Sequence, residues 1–187
     1  MNAKIVLILF LGLVAHAQPA APRPVVFTTE PKLTVAKLET GGAEAYEVRG
    51  KLSFTVTAAN FNDTVTGAIN YMIPDEARRK IAALTGKSLD SVPSSITHKG
   101  AIAAFQKMTA APVIHLEIPP MSVDVAGAKM RFNRIVLDVY ARESKGAKFT
   151  NEEMESLFTS WARQISAGRL RRGVIATINR RIAGKDD

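Results

Sequence analysis

The sequence predicts an α+β fold: a curved antiparallel β-sheet of about six strands packed with helices, including a two-part amphipathic helix at the C-terminus. Two long runs of apolar–polar alternation are separated only by Asn60-Phe61-Asn62-Asp63. That is too short for the crossover of about a dozen residues that a parallel return requires, so the pair is an antiparallel hairpin. After residue 150 the apolar residues recur instead at helical spacing, on two faces rotated by roughly 120°.

The elements follow in order. Met1-Asn2-Ala3-Lys4, an apolar run at 5–14 and Ala15-His16-Ala17 have the layout of a secretory signal peptide over residues 1–17. The run is shorter than the about 20 apolar residues that span a bilayer. No cysteine follows the expected cleavage site to carry a lipid anchor, so the chain is expected to be exported, periplasmic or secreted. Residues 18–24 contain three prolines and read as an extended tether, leaving 25–187 as one α+β domain. Short strands are expected at 25–28 and 33–38, with a turn at Thr40-Gly41-Gly42.

Tyr46, Val48, Leu52, Phe54, Val56 and Ala58 form the apolar side of the first long strand, with Gly50 as a bulge candidate. Val65, Gly67, Ile69, Tyr71 and Ile73 form that of the second. Pro74-Asp75-Glu76 opens a helix with a capping carboxylate and an acidic first turn, Ile81 and Leu84 face the core, and Gly86 closes it. Residues 87–100, rich in Ser and Thr, read as a loop, and 101–108 as a short helix packed through Ile102 and Phe105. Ile114, Leu116 and Ile118 mark a strand stopped by Pro119-Pro120, and Met121, Val123 and Val125 mark another before Gly127. Met130 and Phe132 differ in parity from Ile135, Leu137 and Val139, so a bulge or bend is expected near Asn133. Thr150-Asn151-Glu152-Glu153 is a capping box. Met154, Leu157, Phe158, Trp161 and Ile165 share one helical face and Leu170, Val174, Ile175, Ile178 and Ile182 another, which places a break at Ser166-Ala167-Gly168.

Composition bounds the chemistry. The 187 residues are 47% apolar, enough for a packed core. They contain no cysteine, which excludes disulfides, thiolate metal sites, iron–sulfur clusters and a cysteine nucleophile. Lys and Arg total 25 against 17 Asp and Glu, a net charge of +8 that favours anionic partners. Nucleic acid is not the expected one, because export removes the chain from the cytoplasm and only 6% of residues are aromatic, with no stacking platform interleaved with the basic residues.

Most chemical motifs fail. Gly86-Lys87-Ser88 resembles the end of a phosphate-binding loop, but the earlier glycine is replaced by Ile81 and the segment follows a helix. No nucleophile elbow, zinc-protease motif, dinucleotide fingerprint or calcium loop is present, and no cofactor is implied. His115 and Glu117 lie two apart on a strand and leave the same face, so with His98 they are candidates for an acid–base or metal site. The structural alternative is a polar strand face in water, which also accounts for Asp124 and Asp138. Ser94, Ser95 and His98 lack a group to orient the histidine. Glu152, Glu153 and Glu155 offset a helix dipole. Asn62-Asp63-Thr64 fits the N-glycosylation pattern, which matters only in a eukaryotic secretory pathway.

The basic C-terminus is the most informative local feature. Arg169, Arg172 and Arg180 fall on one helical stripe, and Arg171 and Arg181 flank the apolar side. Guanidinium groups pair bidentately with phosphate or carboxylate, so the stripe is a candidate site for an anionic ligand, an anionic membrane surface or an acidic partner; the structural alternative is a solvated face. Three functional classes follow. The first is a non-catalytic exported binding protein for an apolar or amphiphilic, anionic ligand such as a lipid. The second is a cell-envelope assembly protein docking a partner through its Arg-rich helix. The third, least favoured, is a hydrolase using His98, His115 and Glu117. The sequence leans away from an enzyme.

Overall fold

The computed structural model describes residues 25–28, 34–39, 45–106, 114–140, 148–149, 152–169 and 171–184. The expected signal peptide, the tether and the Thr150 capping residue lie outside them.

The fold is α+β, as the periodicity predicts. Its elements are β1 (Val25–Thr28), β2 (Val35–Leu38), β3 (Tyr46–Arg49), β4 (Leu52–Asn60), β5 (Thr64–Met72), α1 (Asp75–Thr85), β6 (Ser95–Phe105), β7 (Ile114–Ile118), β8 (Met121–Val125), β9 (Ala128–Phe132), β10 (Ile135–Val139), β11 (Lys148–Phe149), α2 (Glu152–Ser166) and α3 (Arg172–Ile182). A strongly curled, half-barrel antiparallel sheet runs in the order β10-β7-β6-β5-β4-β1-β11. Six of its strands have four residues or more, and the two-residue β11 closes one edge. A second antiparallel sheet has the order β3-β2-β9-β8.

Two segments that read as single strands are each divided between the sheets. At Gly50 the chain leaves β3 in the small sheet and enters β4 in the large one, which is a larger change than the expected bulge. A Cβ there would lie 2.3 Å from the Met72 carbonyl oxygen and 2.6 Å from the Tyr71 ring, so glycine is required by close approach. The parity change near Asn133 is likewise a change of sheet, with β9 in the small sheet and β10 in the large one. Tyr71 joins the two layers. Its hydroxyl donates to the Val48 carbonyl at 3.0 Å, and its ring meets Phe132 edge-on at 4.9 Å.

The core lies where the curled sheet meets α2. Phe27, Phe54 and Phe105 pack with Phe158 and Trp161, their paired ring centroids 4.5 to 6.3 Å apart. Such contacts add about 0.5–1.5 kcal/mol per pair beyond the area they bury. Met154, Phe158 and Trp161 of the expected α2 face are buried, as are Ile175 and Ile178 of the α3 face. The break between these helices falls where their faces diverge: α2 ends at Ser166, and Gly168 takes the left-handed conformation at φ +64°.

Several expectations are corrected. Residues 101–105 belong to the long strand β6, not to a helix: Ala101, Ala103 and Phe105 are buried, while Ile102 is 52% exposed. Pairing with β5 along β6 overrides the helical preference of an alanine-rich segment. The expected loop at 87–100 therefore shortens, because 95–100 are also strand. Gly100, at φ +74°, is the extra residue where the register shifts between Gly67 and Ala68, a glycine bulge. A second shift skips Thr57, so Ala59 rather than Ala58 becomes the fully buried residue. In α1, Ile81 and Ala77 face the core but Leu84 is exposed, since it lies beyond the buried stripe. Asp75 is the first helical residue rather than the cap, which is Pro74, and pairs with Arg78 at 2.9 Å.

Candidate functional site

The basic C-terminus and the hairpin tip meet at one end of the fold. The β4–β5 turn is held by its own side chains. Asn60 Nδ2 donates to the hydroxyls of Thr64 and Thr66 at 3.0 Å each, and the Thr64 hydroxyl donates to Asn62 Oδ1 at 2.7 Å. Asp63 turns the chain with a positive φ of 61°, and its carbonyl accepts from the Phe105 N–H at 2.9 Å. These bonds leave Phe61 at the tip with 69% of its surface exposed.

Arg171 fastens the C-terminal region to this turn. Its Nε and Nη2 donate to the two carboxylate oxygens of Asp63, and its Nη1 donates to the Arg169 carbonyl at 3.1 Å. Farther along α3, Asn179 binds the backbone of Ala59 in β4. The result is a groove of about 650 Å³ lined by Phe61, Gly168, Arg169, Arg171, Arg172 and Ile175. It combines an exposed aromatic ring with cations. Arg169 and Arg172 are exposed, whereas Arg171 is matched by Asp63. No acidic residue stands in the first turn of α3, so Arg172 and the positive end of the helix dipole add there.

The five arginines thus divide by role. Arg169 lies in the connection between the helices, not on α3, so the expected stripe is not one continuous helical face. Arg180 is exposed on α3, and Arg181 pairs with Glu153 of α2 at 2.7 Å. Phe61 and Asp63 were legible only as turn residues. The available signal was an aromatic side chain in an otherwise polar tip.

Of the three expected residues, His115 and Glu117 come together and His98 stands apart. His115 on β7 stands opposite Asp138 on β10, with its Nδ1 against an Asp138 carboxylate oxygen and its Nε2 3.2 Å from Glu117 Oε1. Arg134 reaches the same Glu117 oxygen at 3.2 Å, and the Tyr140 hydroxyl donates to Asp138 at 3.4 Å. The face is polar, as alternation predicts. It is nevertheless a bonded cluster: His115, Glu117 and Asp138 are each about a quarter exposed or less, not simply solvated. Each ring nitrogen already faces a carboxylate. His98, on β6, pairs with Ile69 of β5, and among the described residues β7 pairs with β6 only from Ala104, six residues or roughly 20 Å farther along the strand. Among the described residues no group of three His, Cys, Asp or Glu side chains is arranged to hold a metal ion.

Comparison with known proteins gives no match: no family model fits the chain, and neither a curated protein nor a solved structure is similar to it.

Proposed function

We propose that this chain is a non-catalytic, exported binding protein for an amphiphilic anion. The groove that joins exposed Phe61 to Arg169 and Arg172 carries this reading. An apolar tail covers the exposed Phe61 ring, and a phosphate or carboxylate head meets the two guanidinium groups. Covering a phenyl ring contributes about 1.5–3 kcal/mol, and the head adds charge-assisted hydrogen bonds. Export rests on the leader pattern of residues 1–17.

The test has two parts. Solvent extraction of the purified protein and mass spectrometry of the extract should reveal a defined anionic amphiphile near one per chain. Titration with a monoacyl phosphoglycerol below its micelle concentration should then give saturable binding, weakened about tenfold or more by Phe61→Ser and by Arg172→Glu. An empty protein with no saturable titration rejects the reading, as does binding that both substitutions leave unchanged.

A further inference from the structure

We infer that the groove-bearing end docks on an anionic bilayer, with Phe61 entering the interface and Arg169 and Arg172 meeting phosphodiester headgroups. The inference rests on the same groove as the proposed function but assigns it a surface, not only a single bound molecule.

Three observations carry it. Phe61 is 69% exposed at the apex of a hairpin, yet the turn beneath it is fixed by the Asn60, Asn62, Thr64 and Asp63 hydrogen bonds. A rigid aromatic apex is already ordered before contact, so docking loses little loop entropy. The charge beside it is also suited to an anionic surface. Asp63 is the acidic residue of the turn, and Arg171 neutralises it, while Arg169 and Arg172 line the same groove. An apolar tip between arginines matches an interface where headgroup phosphates lie just above the acyl chains.

The third observation is where the chain enters the fold. β1 runs antiparallel to β4, with Val25 opposite Val56. The first described residue therefore stands four positions before Asn60, at the end of β4 that leads into the Phe61 turn. The 24 residues before Val25, including the apolar run at 5–14 and Arg23, join the domain at this same end. A membrane contact through that segment would start from the groove-bearing end of the domain. The contact inferred is interfacial, through a surface aromatic ring and surface cations.

Vesicle sedimentation tests this with the full chain, expressed with its own leader and purified in the form the host yields. Phosphatidylcholine vesicles are compared with vesicles doped with phosphatidylglycerol. The wild type should pellet with the doped vesicles, less so as salt rises. Phe61→Ser and the Arg169→Glu/Arg172→Glu pair should each weaken binding about tenfold or more, while Leu84→Ser, an exposed apolar site on α1, should not. Phe61→Trp should retain binding and gain emission quenched by brominated lipid, above the constant signal of buried Trp161. Equal pelleting of the wild type and Phe61→Ser overturns the inference. Retention of a soluble monoacyl phosphoglycerol without vesicle binding also overturns it and leaves the proposed function standing. Vesicle binding through Phe61 without any retained monomeric amphiphile does the reverse.

Discussion

The side-chain amide of Asn179 spans both polar groups of the Ala59 backbone, accepting from its N–H at 2.7 Å and donating to its carbonyl at 2.9 Å. Among the described residues, pairing between β1 and β4 begins at Val25 and Val56, so Ala59 lies beyond the described part of β1. Asn179 supplies there both bonds that a neighbouring strand residue would make, and it ties α3 to the sheet.

Asn179→Ala removes both bonds and leaves two partly buried backbone groups unmatched, an expected loss of about 2–3 kcal/mol. Urea unfolding measures it. Asn179→Asp keeps an acceptor for the Ala59 N–H but sets a carboxylate against the carbonyl, so it should rescue little. A loss below about 0.5 kcal/mol for the alanine variant would mean that water replaces the amide without penalty.

Tyr71 gives the fold a defined response to base. Its ring is fully buried between the sheets, and burial pushes the phenol well above its usual value near 10, against a smaller opposing contribution from a backbone hydrogen bond at Gly50. The folded state thus prefers the protonated phenol. Its stabilising effect is complete below about pH 10 and is lost as pH rises from there towards the folded value, because the unfolded chain releases the proton first. The slope reaches about 1.4 kcal/mol per pH unit. Tyr71→Phe should be less stable at neutral pH by about 1–2 kcal/mol, since the Val48 carbonyl loses its donor, yet decline less steeply above pH 10. Tyr46, raised mainly by its hydrogen bond to Glu76, is common to both proteins and cancels in the comparison.

How much was legible in the sequence follows from how local each signal is. The alternation in 46–58, 65–73 and 114–118 is a property of adjacent residues and marks strand correctly at all but Gly50, Lys51 and Ile73. Which sheet a strand joins is not local. Gly50 divides the first run because Tyr71 and Met72 press on it from across the fold. The stretch Ala101-Ile102-Ala103-Ala104 carries a helical preference by itself and becomes strand through its distant partner β5. At the groove, the arginines were visible as a basic cluster. Their partner was not, because Asp63 and Arg171 are 108 positions apart. Likewise Asp138, read as a solvated residue, is set against His115 by the register of β10 on β7.

Two glycines should respond to alanine with opposite signs. A Cβ on Gly50 meets backbone oxygen at 2.3 Å, and neither that strand nor the Tyr71 ring behind it has room to yield. Gly50→Ala should cost about 1–3 kcal/mol or prevent folding. Gly173 sits in the first turn of α3, and a Cβ there meets nothing within 4 Å. Gly173→Ala should stabilise by about 0.5–1 kcal/mol, because alanine loses less backbone entropy in a helix. Thermal melting of the pair reads both effects.

Asp63 and Arg171 separate the architecture of the groove from its charge. Each is about three-quarters buried, and the bidentate pair holds the hairpin tip to the start of α3, so breaking it from either side should cost about 1–3 kcal/mol. The consequences for anion binding diverge. Asp63→Asn leaves Arg171 without a countercharge and adds one positive charge to a groove that already holds Arg169 and Arg172. Arg171→Met leaves the Asp63 carboxylate facing those arginines and lowers the local charge by one. Both variants should therefore be less stable than the wild type. For a monoacyl phosphoglycerol at low ionic strength, Asp63→Asn should bind more tightly and Arg171→Met more weakly, the two differing by about tenfold and converging as salt screens the charge. If both weaken binding equally at every ionic strength, the pair acts by positioning Phe61 alone. If neither changes it, the anion does not sit in this groove.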